Sequence, residues 1–160
     1  MHPLLRTIIL AAVTAMIVPV SQVLAQAADP SSGTWELNLA KSKFDPGPAP
    51  KSQTRTYEVA DGAVKMSAKG VTAEGKEMQI NYTGSFDGKD FPVTGNPDAD
   101  TISLKRIDDS TVEATLKKAG KVVSTATRVI SKDGKVLTVK TKGTNAKGEK
   151  VNNTLVFDKQ

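Results

Sequence analysis

Asn96, Asp98 and Asp100 stand at alternate positions of Gly-Asn-Pro-Asp-Ala-Asp (95–100), the spacing with which a calcium-binding loop begins. Oxygen-bearing side chains at every second place can surround a hard cation. The remainder of an EF-hand loop is missing. Its sixth place holds Thr101 where a glycine is needed, and its twelfth holds Ile107 where a bidentate glutamate is needed. A different calcium loop, recruiting Asp87 or Asp90, is the competing reading. Against it, Pro97 presets φ at the second position of a turn and Asp98 suits the third. The stretch therefore reads as a connection between two strands, and no metal is expected.

Six other residues could hold a ligand. Arg106, Arg128 and Arg55 carry guanidiniums that suit a carboxylate, phosphate or sulfate. Tyr57, Tyr82 and Asn153 can hydrogen-bond one, although the two tyrosines suit a core with satisfied hydroxyls equally well. Most other chemistry is ruled out by composition. The 160 residues contain no Cys and a single His, His2. Zinc, haem and iron–sulfur sites lose their usual ligands, and Ser-His-Asp or Cys-His nucleophile pairs cannot be assembled. No general base is fixed beside a tyrosine or lysine, so no enzyme and no cofactor is expected.

The amino end has the layout of a secretory signal peptide: Arg6, then a nearly unbroken apolar run over 10–20, then Val23-Leu24-Ala25. Thr14 and Pro19 interrupt that run, which is shorter than the roughly 20 residues of a membrane span. Cleavage is expected after Ala25, or after Ala27. Removing residues 1–25 also removes Arg6, leaving 21 of the 22 basic residues against 17 acidic ones. These lysines lie in turn after turn beside acids or glycines, the pattern of solubilising residues on a β protein. Nucleic-acid surfaces cluster their charge and supply stacking aromatics; neither is present. No cysteine follows the leader to carry a lipid. The chain is expected to be a periplasmic or secreted monomer, with 26–32 a flexible start and 33–160 one domain.

Those six residues can share a site only if the fold gathers them. No 3.6-residue period appears beyond the leader. Short alternating runs recur at 34–40, 54–59, 64–69, 77–86, 101–107, 111–117, 121–130, 135–142 and 150–158, separated by Asp-Gly, Ala-Gly and similar turns. This regular spacing marks an all-β protein, here a single antiparallel up-and-down barrel. Lys89-Asp90-Phe91-Pro92-Val93 is a conditional tenth strand, restricted by Pro92 to an edge or bulge. At most one helical turn is expected, in 41–53. "DGAVKMSAKGVTAEGKEMQ" (61–79) and "DGKVLTVKTKGTNAKGEKVN" (133–152) repeat one hairpin recipe.

Turn chemistry sets the registers. A two-residue turn at Asp61-Gly62 pairs Val59 with Val64, Tyr57 with Met66 and Arg55 with Ala68. The same rule at Asp133-Gly134 pairs Ile130 with Leu137 and Arg128 with Val139. Three-residue turns at 108–110 and 118–120 pair Arg106 with Val112, Leu104 with Ala114, and Leu116 with Val122. A one-residue slip would destroy the apolar agreement on one face. That face also carries small or polar residues, Ser124, Ala126, Thr141 and Asn153, which suit a barrel with an interior cavity. Arg106 and Arg128 fall on it at one barrel end, with no acid on the same face of their strands. Arg55 joins them only if 89–93 does not form a strand. Trp35 is expected to plug one end.

"GTWELN" (33–38) at the head of a meander whose last strand ends "VFDKQ" resembles the lipocalin and fatty-acid-binding barrels. The resemblance implies a closed barrel with an apolar ligand inside. The chain departs from the fatty-acid-binding pattern on its last strand, where Asn153 and Leu155 replace an Arg-x-Tyr clamp. It also has a Pro-rich 41–53 in place of a two-helix lid, and no disulfide of the lipocalin kind. "DGKDFPVTGNPDADT" and "SLKRID" further resemble phrases of a family of small exported bacterial proteins of unassigned function. The expected role is an exported binding or carrier barrel for a small amphipathic, anionic molecule. A ligand-free structural or interaction protein of the cell envelope is the alternative.

Overall fold

In a computed structural model, which describes residues 28–160, ten strands close into one antiparallel barrel. The expected leader and its cut lie outside the described residues. In chain order the strands are β1 (Gly33–Leu37), β2 (Ser52–Ala60), β3 (Ala63–Val71), β4 (Glu77–Ser85), β5 (Asp87–Thr94), β6 (Thr101–Arg106), β7 (Thr111–Lys118), β8 (Lys121–Ile130), β9 (Val136–Thr144) and β10 (Lys150–Lys159). Each strand pairs with its neighbours in sequence, and β1 closes the ring by pairing with both β2 and β10. An even number of strands is what lets an up-and-down barrel close antiparallel. Among the described residues the one helical turn, Leu39–Lys41, precedes the Pro-rich connection. That connection runs beside β10, where Lys43 bridges Thr154 and Asp45 exchanges hydrogen bonds with Asn152 and Asn153.

Backbone chemistry explains why the registers hold. Asp61-Gly62 turns with φ of 51° and 76°, the doubly left-handed geometry of a type I′ turn. It sets Val59 opposite Val64, Tyr57 opposite Met66 and Arg55 opposite Ala68. At the second Asp-Gly only Gly134 is left-handed, so Asp133 instead caps a longer loop by accepting from Ser131 and from the Lys135 N–H. The pairs Ile130–Leu137 and Arg128–Val139 form all the same.

One register differs from expectation. Ala119-Gly120 forms a two-residue left-handed turn, with φ of 49° and 76°, in place of a three-residue one. Lys118 then faces Lys121 and Lys117 faces Val122, which would turn the wrong side of β8 inward. A bulge between Leu116 and Lys117 absorbs the extra residue, and Leu116 meets Ser124. Val122 is left 61 % exposed.

β5 is the strand that the sequence left conditional, and its weakness is visible. It holds β4 through only Asn81–Thr94 and Tyr82–Val93, and its ladder to β6 shifts between Asp87 and Asp90. Pro92, which cannot donate to a ladder, sits in this loosely paired stretch. The Phe91 ring closes the remaining gap by lying across Gly84, where a Cβ would come within 2.7 Å of the ring. An aromatic laid over a glycine is a known means of sealing a barrel wall. Gly84→Ala is therefore expected to lower unfolding stability by about 1–3 kcal/mol, measured by urea denaturation. Loss of only a few tenths would mean that the ring moves aside without cost.

Candidate functional site

The barrel interior holds an apolar core and three guanidiniums. Trp35, Phe157, Leu137 and Val64 have no exposed surface. Burying such side chains contributes roughly 1.5–3 kcal/mol each. Each of the three arginines lies over an aromatic ring. Arg106 is 4.1 Å from the centre of Phe86, Arg128 is 4.5 Å from Tyr57, and Arg55 is 4.7 Å from Phe157. The ring faces attract the cations, most strongly at the buried Arg128.

At one end the barrel is closed by the segment ahead of β1. Arg106 Nη2 donates to Asp29 Oδ2 at 2.5 Å. The Ser31 N–H and hydroxyl both donate to Asp29 Oδ1, and Arg128 Nη2 donates to Ser31 Oγ at 3.4 Å. Trp35 Nε1 donates to the Ser31 carbonyl at 2.9 Å, so the tryptophan anchors the plug. Ser32 accepts from the Val59 N–H at 3.2 Å. The start expected to be flexible over 26–32 is, in its described part, packed into the barrel end, with Ser31 only 2 % exposed.

This arrangement corrects the picture of two arginines without an acid. The strands indeed supply none, but the carboxylate comes from outside them. Arg106 is thereby satisfied within the chain. A hollow of about 660 Å³ beside it is bounded by Asp29, Phe86 and the Asp61-Gly62 turn, and Arg106 does not line the interior cavity.

That cavity, of about 210 Å³, occupies the other half of the barrel. Arg55, Tyr57, Tyr82 and Asn153 line it, and Arg128 lies beneath Tyr57, buried to 7 % exposure. Met66, Ile80, Val93 and Val139 form part of its apolar wall. Arg55 Nε donates to Gln53 Oε1 at 3.1 Å, and among the described residues neither Arg55 nor Arg128 has a carboxylate partner. Gln53, inward at the first turn of β2, and Val93 on β5 were not anticipated, because the expected strands began at 54 and omitted 89–93 as a certainty. An inward-facing Gln two residues before Arg55 was the available signal.

The two tyrosines differ electrostatically. Burial pushes the Tyr57 hydroxyl up, but the neighbouring Arg55 and Arg128 charges outweigh it and hold the group below its ordinary value. At Tyr82 burial and the adjacent Tyr57 outweigh the lowering effect of Arg128 and Arg55 and push the hydroxyl well above the usual phenol range. The pocket is thus biased toward accepting negative charge beside Tyr57, while Tyr82 stays a neutral donor.

Gly-Asn-Pro-Asp-Ala-Asp is a loop between β5 and β6 at the cavity mouth. Asn96 Oδ1 accepts the Asp98 N–H at 2.9 Å, Asp98 Oδ1 accepts the Ala146 N–H at 2.7 Å, and Asp100 Oδ2 accepts the Ala119 N–H at 2.8 Å. Each side chain ties a piece of backbone, which is the turn reading in detail. Calcium would have to strip these bonds. Millimolar calcium is expected to leave the melting temperature within about a degree, whereas an occupied site would stabilise by several kcal/mol.

No family model matches the chain, and no curated protein does. Solved structures similar to this chain include two redesigned β-barrels. One is a redesigned β-barrel, mFAP1, bound to DFHBI, at 14 % identity and a TM-score of 0.44, covering 81 % of this chain and 96 % of that one. The other is the redesigned barrel mFAP0, also bound to DFHBI, at 15 % identity and a TM-score of 0.40, covering 79 % and 97 %. Likeness of this degree bears on neither ligand nor activity. The closed barrel implied by the lipocalin and fatty-acid-binding resemblance is present; the resemblance extends to architecture and stops there.

The Asp29 plug generates a pH test. Burial raises the Asp29 carboxyl, but the Ser31 hydrogen bonds and Arg106 lower it by more, so it titrates below its ordinary value when folded. Its stabilisation is then complete above about pH 4 and is lost as pH falls through the folded value. Asp29→Asn is expected to cost about 1–2 kcal/mol at pH 7, between an exposed and a buried pair. The gap between wild type and variant should close as pH falls through the folded value, read by urea denaturation at each pH. A gap independent of pH would show that the carboxylate charge is not what holds the plug.

Proposed function

We propose that the protein is an exported binding or carrier barrel for a small amphipathic anion, which it holds without transforming. One observation carries this reading. Arg55 lines an apolar-walled cavity beside Tyr57, with a second guanidinium, Arg128, behind that ring, and no carboxylate among the described residues pairs with either. A guanidinium buried without a counter-charge, as at Arg128, is costly, and an anion entering beside the half-buried Arg55 offsets that cost. In the bound state the anionic group lies on Arg55 and the Tyr57 hydroxyl, Arg128 reinforces it through Tyr57, and Tyr82 and Asn153 donate from the walls. Arg106 leaves the ligand set, because Asp29 already neutralises it. At about 210 Å³ the cavity is below the roughly 300–1,000 Å³ of sites for drug-sized molecules, so the ligand is short. Export rests on the leader-like first 25 residues, and a monomer is favoured because a closed barrel leaves no strand edge for pairing.

Native mass spectrometry of protein purified from its own envelope should reveal a retained small molecule. Calorimetry with octanoate supplies a defined probe. Arg55→Met is expected to weaken octanoate at least about tenfold, or 1.4 kcal/mol, without loss of folding. If the wild type carries nothing and binds octanoate no better than Arg55→Met, the carrier reading fails and the ligand-free envelope role takes its place.

A further inference from the structure

The reading above concerns one end of the ligand; the cavity mouth says something about the other. Of the described residues that line the cavity, two carry a formal charge: Arg55 and Asp98. They come from different parts of the barrel, Arg55 from β2 and Asp98 from the loop between β5 and β6. Asp98 is half-buried, and one of its oxygens is fixed by the Ala146 N–H at 2.7 Å. That bond orients the carboxylate and leaves the second oxygen with no recorded partner among the described residues. Lys118 reaches the same loop, but its ammonium donates to the Pro97 carbonyl at 3.3 Å and makes no ion pair with Asp98. Asn96, Asn145, Thr144 and Asn153 complete a polar rim around it.

We infer that the ligand is a zwitterion: a short molecule with an anionic group on Arg55, an apolar middle, and an ammonium or other cation on Asp98. This deepens the carrier reading and rests on it. A simple anion gains the Arg55 contact but places its tail beside an unneutralised carboxylate. A dianion suffers direct repulsion at the mouth, so Asp98 also rejects the wrong ligand. A molecule with opposite charges at its two ends satisfies both groups together, and the apolar wall of Met66, Ile80 and Val93 covers what lies between. The turn that fixes Asp98 then serves the site as well as the loop: the Asn96 side chain accepting from the Asp98 N–H sets where that carboxylate points.

Calorimetry with ω-amino carboxylates from 4-aminobutanoate to 8-aminooctanoate, each against the alkyl carboxylate of equal length, tests the inference. One chain length should bind at least about tenfold more tightly than its alkyl counterpart. In Asp98→Asn, which retains an oxygen for the Ala146 N–H, that advantage should vanish while the alkyl carboxylate binds as before or better. Arg55→Met should weaken both series. If alkyl carboxylates bind in an Arg55-dependent way but no ω-amino acid binds more tightly, the zwitterion inference is overturned and the anion carrier survives. If neither series binds, or if Arg55→Met changes nothing, the carrier reading itself fails and takes the inference with it. An advantage that persists in Asp98→Asn also overturns the inference, because the ammonium is then recognised elsewhere.

Discussion

Positive charge inside an apolar barrel is the constraint around which the rest of this structure is arranged. Three guanidiniums belong to the inward face, and each must be stabilised to the extent that it loses water: Arg128 is buried, whereas Arg55 and Arg106 are half-buried. The first measure is shared: every one lies over an aromatic face, Phe86, Tyr57 or Phe157. The second differs. Arg106 receives a full carboxylate from Asp29, Arg128 receives only a long contact from the Ser31 hydroxyl, and Arg55 receives the amide oxygen of Gln53. Compensation thus weakens from the closed end toward the cavity. The gradient explains why the plug is ordered around Asp29 and Ser31, and why unsatisfied charge collects beside Tyr57.

The closed end also shows how a barrel can be sealed without a lid. Trp35 stands on β1, donates to the Ser31 carbonyl, and lies under the Lys159 ammonium at 5.0 Å. Lys159 in turn donates to the Pro30 carbonyl at 3.4 Å. The first and last strands, which meet to close the ring, therefore both hold the segment that fills its end. Closure of the sheet and closure of the interior are one event. A chain unable to seat 29–31 would leave Arg106 unpaired and the Trp35 N–H without an acceptor together.

Most of the architecture could be read before any coordinates, because side-chain alternation and turn chemistry are local. Asp61-Gly62 alone determined the facing of two strands, and the same reasoning put Arg106, Arg128, Tyr57 and Leu137 on one face. The parts that escaped are non-local or compensatory. At Ala119-Gly120 the short turn and the bulge cancel, so an incorrect turn length still left Leu116 facing inward. β5 was ambiguous because Pro92 argues against a strand, while its support, the Phe91 ring over Gly84, joins residues whose pairing depends on an already curved wall. Asp29 was invisible for another reason: a counter-charge counted only along strands cannot include a segment folded in from outside the sheet.

The cavity itself follows from how side-chain volume is distributed along the barrel. Residues near the plug are large: Trp35, Phe157 and Leu137 are fully buried. Toward the mouth the inward positions are Ala68, Ser124, Ala126 and Thr141, too small to meet across a ring of ten strands. β4 and β10 do not make up the difference, since Ile80 and Asn153 line the void without spanning it. Interior packing elsewhere approaches that of a solid, so four small residues on three strands, β3, β8 and β9, are a local sacrifice of dispersion energy. The positions that forgo it line the same cavity as Arg55, which Ala68 faces directly across β2 and β3. Small walls and incomplete charge compensation coincide in space, and that coincidence gives the cavity both its volume and its sign.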